Sequence, residues 1–202
     1  MARIDWHRFV NNIKPLIKGK KILAIGCSDG GNDLAFGDKE SLGVDCDKQA
    51  LKRARDKGLR VRYGFAGKTD LHGEKFEVVT IIHLLEHLET RKEVCDTLKS
   101  AYDVLENGGT LIVATPYAYD SSAWTNWEHV RCFTMNSLSV LIENAGFRIL
   151  DSYSYWHIPF EPYLLNHGIG NFRFPFKRDY ILKLFANFNL VRDLWIIARK
   201  EK

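Results

Sequence analysis

A chain of 202 residues exceeds a typical domain of about 150 residues without reaching two, which leaves room for one core and an elaboration. Hydrophobic residues at 46% and charged residues at 27% exclude a disordered, collagen-like or disulfide-scaffold chain. Lys+Arg 29 against Asp+Glu 25 leaves a net charge of +4, too mild by itself to mark a nucleic-acid binder.

The segment from Met1 to Lys21 is polar and basic and contains no apolar run long enough for a signal peptide or a membrane span. A β-branched run from Lys20 to Ile25 predicts the first strand, stopped by Gly26. Ser41 to Val44 predicts a second strand, followed by Asp45, and Arg60 to Tyr63 a weaker third, with a helix over Lys48 to Lys57 between them. Phe76 to Ile82 and Thr110 to Thr115 are apolar enough to be strands buried on both faces. Between these two lies a helix from Lys92 to Leu105, which Asn107-Gly108-Gly109 should stop. A helix over Ser137 to Asn144, stopped by Gly146, leads into a sixth strand from Phe147 to about Tyr155. Strands alternating with helices at this spacing give a doubly wound α/β fold with a parallel sheet. Cys27, Cys46, Cys95 and Cys132 are widely spaced and form no C-x-x-C, so free, mostly buried thiols and a cytoplasmic setting are expected.

Ligands of such sheets bind beyond the carboxyl ends of the strands. The first strand ends in Gly26-Cys27-Ser28-Asp29-Gly30-Gly31, where glycine permits a tight turn and close approach of a ligand to the backbone. The N–H groups opening a following helix would then face that ligand, although the same turn can serve geometry alone. Asp45 follows Gly26 by 19 residues at the tip of the second strand. A carboxylate there can accept both hydroxyls of a ribose, and the pair of features marks a nucleoside site.

In order, KILAIGCSDG, SLGVDCDKQALKRARDKG, KFEVVTIIHLLEHL, LENGGTLIVATP and EHVRCFTMNSLSVLIENAGF resemble the landmarks of class I S-adenosylmethionine-dependent methyltransferases over about Lys20 to Leu150. The closest likeness is to the branch of ubiquinone-type and sugar or lipid O-methyltransferases. The resemblance implies a Rossmann-like sheet of seven strands, mostly parallel, whose antiparallel last strand fits Leu194 to Arg199. It further implies S-adenosyl-L-methionine as cofactor, with Gly26, Cys27 and Ser28 along its methionine part, Asp45 on the ribose and Cys46 beside the adenine. Ile81, Ile82 and His83 would line the cofactor near its sulfonium. Three positions depart from the family pattern: Ala24 replaces an acid that aids the cofactor's amino group, Ser28 replaces the middle glycine, and Phe65-Ala66-Gly67-Lys68 replaces a loop that usually offers an acid to adenine. A catalytically degenerate fold serving as a binding or regulatory module is therefore the second reading.

Methyl transfer to a hydroxyl needs an aligned acceptor and a group to take its proton. Candidate bases are His83, His87 and His129; His129 lies in a segment resembling the family's H-x-R-x-F/Y-T run above the acceptor and is the expected catalytic residue. Tyr117, Tyr119, Trp124, Trp127 and Arg131 are the candidate acceptor-pocket residues, with core packing as the alternative for the aromatic ones. His83-Leu84-Leu85-Glu86-His87 would suit an inverted zinc-protease motif on a helix, but it follows a buried strand. The resemblance offers a metal in the methyltransferase itself as an alternative, since ubiquinone-type members carry E-x-x-E-H at these positions and His83 replaces the first Glu; a structural Glu86–His87 pair capping the strand-four turn is the favoured reading, and no metal is expected.

Of the 25 aromatic residues, 11 fall between Tyr153 and Phe188. The whole chain reads as one methyltransferase domain with an aromatic-rich insertion at about 156–190, before the last strand. That insertion is expected to be a lid over a small-molecule, sugar or lipid-linked acceptor, a peripheral membrane contact, or a homodimer surface.

Overall fold

The computed structural model describes residues 12–30, 33–71, 73–156 and 191–201. Seven strands form one sheet in the order β3-β2-β1-β4-β5-β7-β6. They are β1 (Ile22–Ile25), β2 (Leu42–Asp45), β3 (Val61–Tyr63), β4 (Phe76–Ile82), β5 (Leu105–Pro116), β6 (Phe147–Trp156) and β7 (Val191–Lys200). The first five run parallel, and β7 inserts antiparallel between β5 and β6. The doubly wound sheet with an antiparallel last strand is thus as expected, and β1 and β4 are central, flanked on both sides.

Two layers cover the sheet. On one face, α3 (Arg91–Val104) and α4 (Met135–Asn144) send Val94, Leu98, Ala101, Leu138 and Ile142 against Leu23, Ile25, Val79, Ile81, Leu111 and Val113. On the other, α2 (Lys48–Asp56) packs Leu51 near Ala24, Cys27 and Leu34, while the short α1 (Lys14–Ile17) buries Ile17 beside Ile22, Val78 and Ile112. Asp47 starts α2 by accepting from the N–H groups of Gln49 and Ala50, which fixes the chain direction immediately after Asp45.

The capping box of α3 joins fold to site. The Thr90 hydroxyl accepts from Glu93 N at 3.1 Å, and a Glu93 carboxylate oxygen accepts from Thr90 N at 3.1 Å. Replacing Thr90 by Ala should cost about 1 kcal/mol, read as a lower urea midpoint with an unchanged slope.

Three expectations are corrected. No α-helix follows the glycine turn among the described residues; there is one 3₁₀ turn, Leu34–Phe36, capped by Asp33 and stopped by Gly37. Gly30, at φ +70°, and Gly37 at the end of the turn are poor helix formers, in keeping with a single short turn among the described residues. The helix stops before Asn107-Gly108-Gly109, at Val104, but β5 begins at Leu105 rather than at Thr110, because Leu105 pairs with Phe76 and a register shift absorbs the glycines, Gly108 at φ +79°. Lastly, only Cys27 is buried; Cys132 is half-buried and Cys46 and Cys95 are exposed, all four as free thiols. The segment 157–190, which holds nearly all of the expected insertion, lies outside the described residues. Among the described residues, no helix is long and apolar enough to cross a membrane.

Candidate active site

Two cavities meet at Gly26, beyond the carboxyl ends of β1, β2 and β4. The larger, about 710 Å³, lies within the usual range for ligand sites of about 300–1,000 Å³. It runs from Gly26, Cys27 and Ser28 past Ile82 and His83 to Asp120, Ala123 and His129. The smaller, about 100 Å³, is lined by Val44, Asp45, Cys46, Phe65, Ala66 and Leu84 among others.

The turn between them is built by backbone geometry. Gly26 has φ +74° and donates its N–H to Val44 O at 2.8 Å; a Cβ there would meet Leu84 Cδ1 at 3.0 Å. Ser28 replaces a glycine yet holds the same left-handed region, with φ +47°. Its strain is countered by Asp45, whose Oδ2 accepts from Ser28 N at 2.7 Å while its Oδ1 accepts from Asp47 N at 2.8 Å. One carboxylate therefore joins the tips of β1 and β2, and each oxygen retains a second lone pair. The departure at Ser28 leaves the turn intact.

At the tip of β4, His83 also adopts a positive φ, +51°, and donates or accepts through Nδ1 with Glu86 Oε1 at 3.2 Å. The His83-to-His87 segment is not an α-helix but enters a 3₁₀ turn, Leu85–His87, which removes the helical spacing of an inverted zinc-protease motif. Glu86 is fully buried, and its Oε2 has no protein partner among the described residues. The rings of His87 and His129 meet edge to face with centroids 4.8 Å apart. His129 Nδ1 lies 2.6 Å from Ala123 O and His87 Nδ1 3.3 Å from Glu128 O. A carbonyl only accepts, so each Nδ1 is the donor, and in a neutral imidazole Nε2 is then the nitrogen that can accept. Ligand atoms of Glu86, His87 and His129 all lie within 4.8 Å of one another, a donor set that could hold either a proton or a divalent ion.

Thiol chemistry is disfavoured. Burial, reinforced by Asp45 and Asp33, pushes the Cys27 thiol far above the ordinary thiol range, and burial, reinforced by Glu86 and Asp120, pushes Cys132 up to about 11.

The expected residues divide clearly. Gly26, Cys27, Ser28, Ile82, His83 and His129 line the larger cavity, and Asp45 and Cys46 the smaller. Ile81 is fully buried and faces the core against α3 and α4 instead. Tyr117 is likewise buried in that core, Tyr119 stacks on it edge to face, and Trp127 is 87% exposed; none of the three lines the cavities. Arg131 donates to Glu89 O at 2.7 Å, away from both. The larger cavity is walled instead by Asp120, Ser122, Asn126, Arg192 and Asp193. The signal for the first three was the Asp120 cap, whose carboxylate takes Ser122 N and Oγ; Arg192 and Asp193 arrive only through β7.

The larger cavity carries the carboxylates Asp29, Asp33, Glu86, Asp120 and Asp193 against the guanidiniums Arg53 and Arg192, an excess that suits a cationic ligand. The smaller cavity is mostly apolar, with Glu93 at its edge; the Thr90 N–H first, then Lys68, hold this carboxyl below its usual range. Asp45 in the smaller, mostly apolar cavity stands beside the acid-lined larger one.

A methyltransferase domain family model matches residues 3–152. The chain belongs to this family, within the class I S-adenosylmethionine-dependent methyltransferase fold, whose cofactor is S-adenosyl-L-methionine. It is 28% identical over 69% of its length to 56% of a "Probable S-adenosylmethionine-dependent methyltransferase" of Mycolicibacterium smegmatis. It is 29% identical over 53% of its length to 46% of the ubiquinone biosynthesis O-methyltransferase of Idiomarina loihiensis. The chain therefore spans about half the length of these curated relatives. An S-adenosylmethionine-dependent methyltransferase of Mesorhizobium loti superposes with a TM-score of 0.71 at 16% identity, covering 98% of this chain and 99% of that one, which shows the shared fold.

Proposed function

We propose that the protein transfers a methyl group from S-adenosylmethionine to a hydroxyl of a small-molecule acceptor, of the sugar or lipid-linked kind. The observation that carries this reading is the pair of cavities joined at Gly26, with Asp45 between them and His129 across the larger one. The cofactor, when bound, supplies an electrophilic methyl on a sulfonium. Asp45 would accept the ribose hydroxyls with the lone pairs not used by Ser28 and Asp47. The Gly26–Ser28 turn would pass the methionine part, and Cys46, Phe65 and Leu84 would wall the adenine. His129, with Nδ1 held by Ala123 O, presents Nε2 to take the acceptor proton. The likeness to ubiquinone biosynthesis O-methyltransferases supports oxygen as the atom methylated.

Calorimetric titration with S-adenosylhomocysteine should show micromolar binding, and its absence would leave a binding or regulatory module as the better reading. Isotope label from S-adenosylmethionine should then appear on oxygen of hydroxylated acceptors; label found only on nitrogen or sulfur acceptors overturns the O-methyl reading.

A further inference from the structure

Asp33 caps the 3₁₀ turn Leu34–Phe36, a role that does not by itself require a buried carboxylate. It is 5% exposed, and it lines the larger cavity beside the Gly26–Ser28 turn. Its Oδ1 accepts from Leu34 N at 2.8 Å, and its Oδ2 accepts a hydrogen bond from the Thr80 hydroxyl. Among the described residues, no Lys or Arg makes an ion pair with it, and burial raises its pKa above the usual carboxylate value. A structural 3₁₀ cap could be exposed and would need neither Thr80 nor the cavity wall. An acid buried without a cation costs stability in its ionised form, which is the signature of a group kept for a ligand.

The place that Thr80 gives this carboxylate is informative. Thr80 of β4 is the register partner of Ala24 of β1. Ala24 stands two residues before Gly26, where the family resemblance sets an acid near the cofactor's amino group. Asp33 comes from the loop after the turn and is bonded to the strand residue paired with that vacant position. The site has thus kept its carboxylate but draws it from a different point in the chain.

We propose that Asp33, oriented by Thr80, is the residue that binds the α-ammonium group of the cofactor, standing in for the acid absent at Ala24. The proposal rests on the S-adenosylmethionine reading of the cavity. It predicts selectivity within the ligand: Asp33 senses the amino-acid end and not the adenosyl end.

Two ligands separate these ends, S-adenosylhomocysteine and 5′-methylthioadenosine, which lacks the amino-acid group. For Asp33→Asn, which preserves the acceptor for Leu34 N and can bond Thr80, calorimetry on the full chain should show S-adenosylhomocysteine weakened by about 10-fold or more. Methylthioadenosine should change by less than about 2-fold. The folded-state pKa of Asp33 is raised, so above it the ionised acid disfavours the folded state; the Asn variant should therefore melt no lower than wild type. Thr80→Val, which keeps the shape and removes the orienting hydroxyl, should weaken S-adenosylhomocysteine alone, by a smaller factor. Equal loss of both ligands in Asp33→Asn, or loss of neither, overturns the assignment. If Asp33→Asn proves unstable, Thr80→Val decides it by the same comparison. Wild-type protein that binds neither ligand would defeat the cofactor reading itself, a result distinct from failure of Asp33.

Discussion

Replacing Asp45 by Ala should lower affinity for S-adenosylhomocysteine by about 100-fold or more, because two charge-assisted hydrogen bonds to a ribose, each about 1.5–3 kcal/mol, would be lost together. Their loss is compounded locally. Asp45 Oδ2 also holds the N–H of Ser28, a non-glycine residue at φ +47°, so the turn that would carry the methionine part loses its support. Asp45→Asn retains acceptors for one of the two backbone N–H groups and should lose about 10-fold. Calorimetry reads both, with thermal denaturation to confirm folding. A loss under about 3-fold in the Ala variant would mean that no ribose lies against this carboxylate.

Replacing His129 by Gln should lower turnover by about 10²–10⁴-fold while leaving S-adenosylhomocysteine affinity within about 2-fold, the pattern of a lost general base. Gln can still bond Ala123 O, so the loop between Asp120 and Phe133 should keep its shape. In the native protein, the imidazolium formed on proton transfer would sit near the buried Glu86 side chain, whose Oε2 has no hydrogen-bond partner among the described residues. Unchanged turnover would remove His129 from the chemistry and point to a solvent-assisted transfer governed by alignment alone.

These residues differ in how readily the chain disclosed them. Gly26 and Asp45 were legible because one stops and the other ends a strand with a clear apolar run. Ser28, Ile82 and His83 came only from the family resemblance. Ile81, named with them, faces the core instead, because a strand buried on both faces gives no sign of which residues point to the core and which to a cavity. Tyr117, Trp127 and Arg131 failed to reach the cavity for a related reason: the loop after β5 is organised by the Asp120 cap, the Trp124 indole on Ala118 O and the Arg131 guanidinium on Glu89 O. Such contacts depend on residues brought together across the fold and leave no periodic trace.

Length and composition indicated one core and an excess, apolar periodicity set six strand positions, the winding and the end of the sheet where chemistry should occur, and the family resemblance supplied the seventh strand. Backbone propensity and burial act locally, so they are written locally. The tertiary structure decided what requires several strand tips at once: that Glu86, His87 and His129 converge, that Arg192 and Asp193 line the larger cavity, and that the buried Asp33 lies beside Thr80, next to the place where Ala24 offers no charge. A carboxylate's role is set by what surrounds it, and for Asp33 those surroundings come from a strand 47 residues further along the chain.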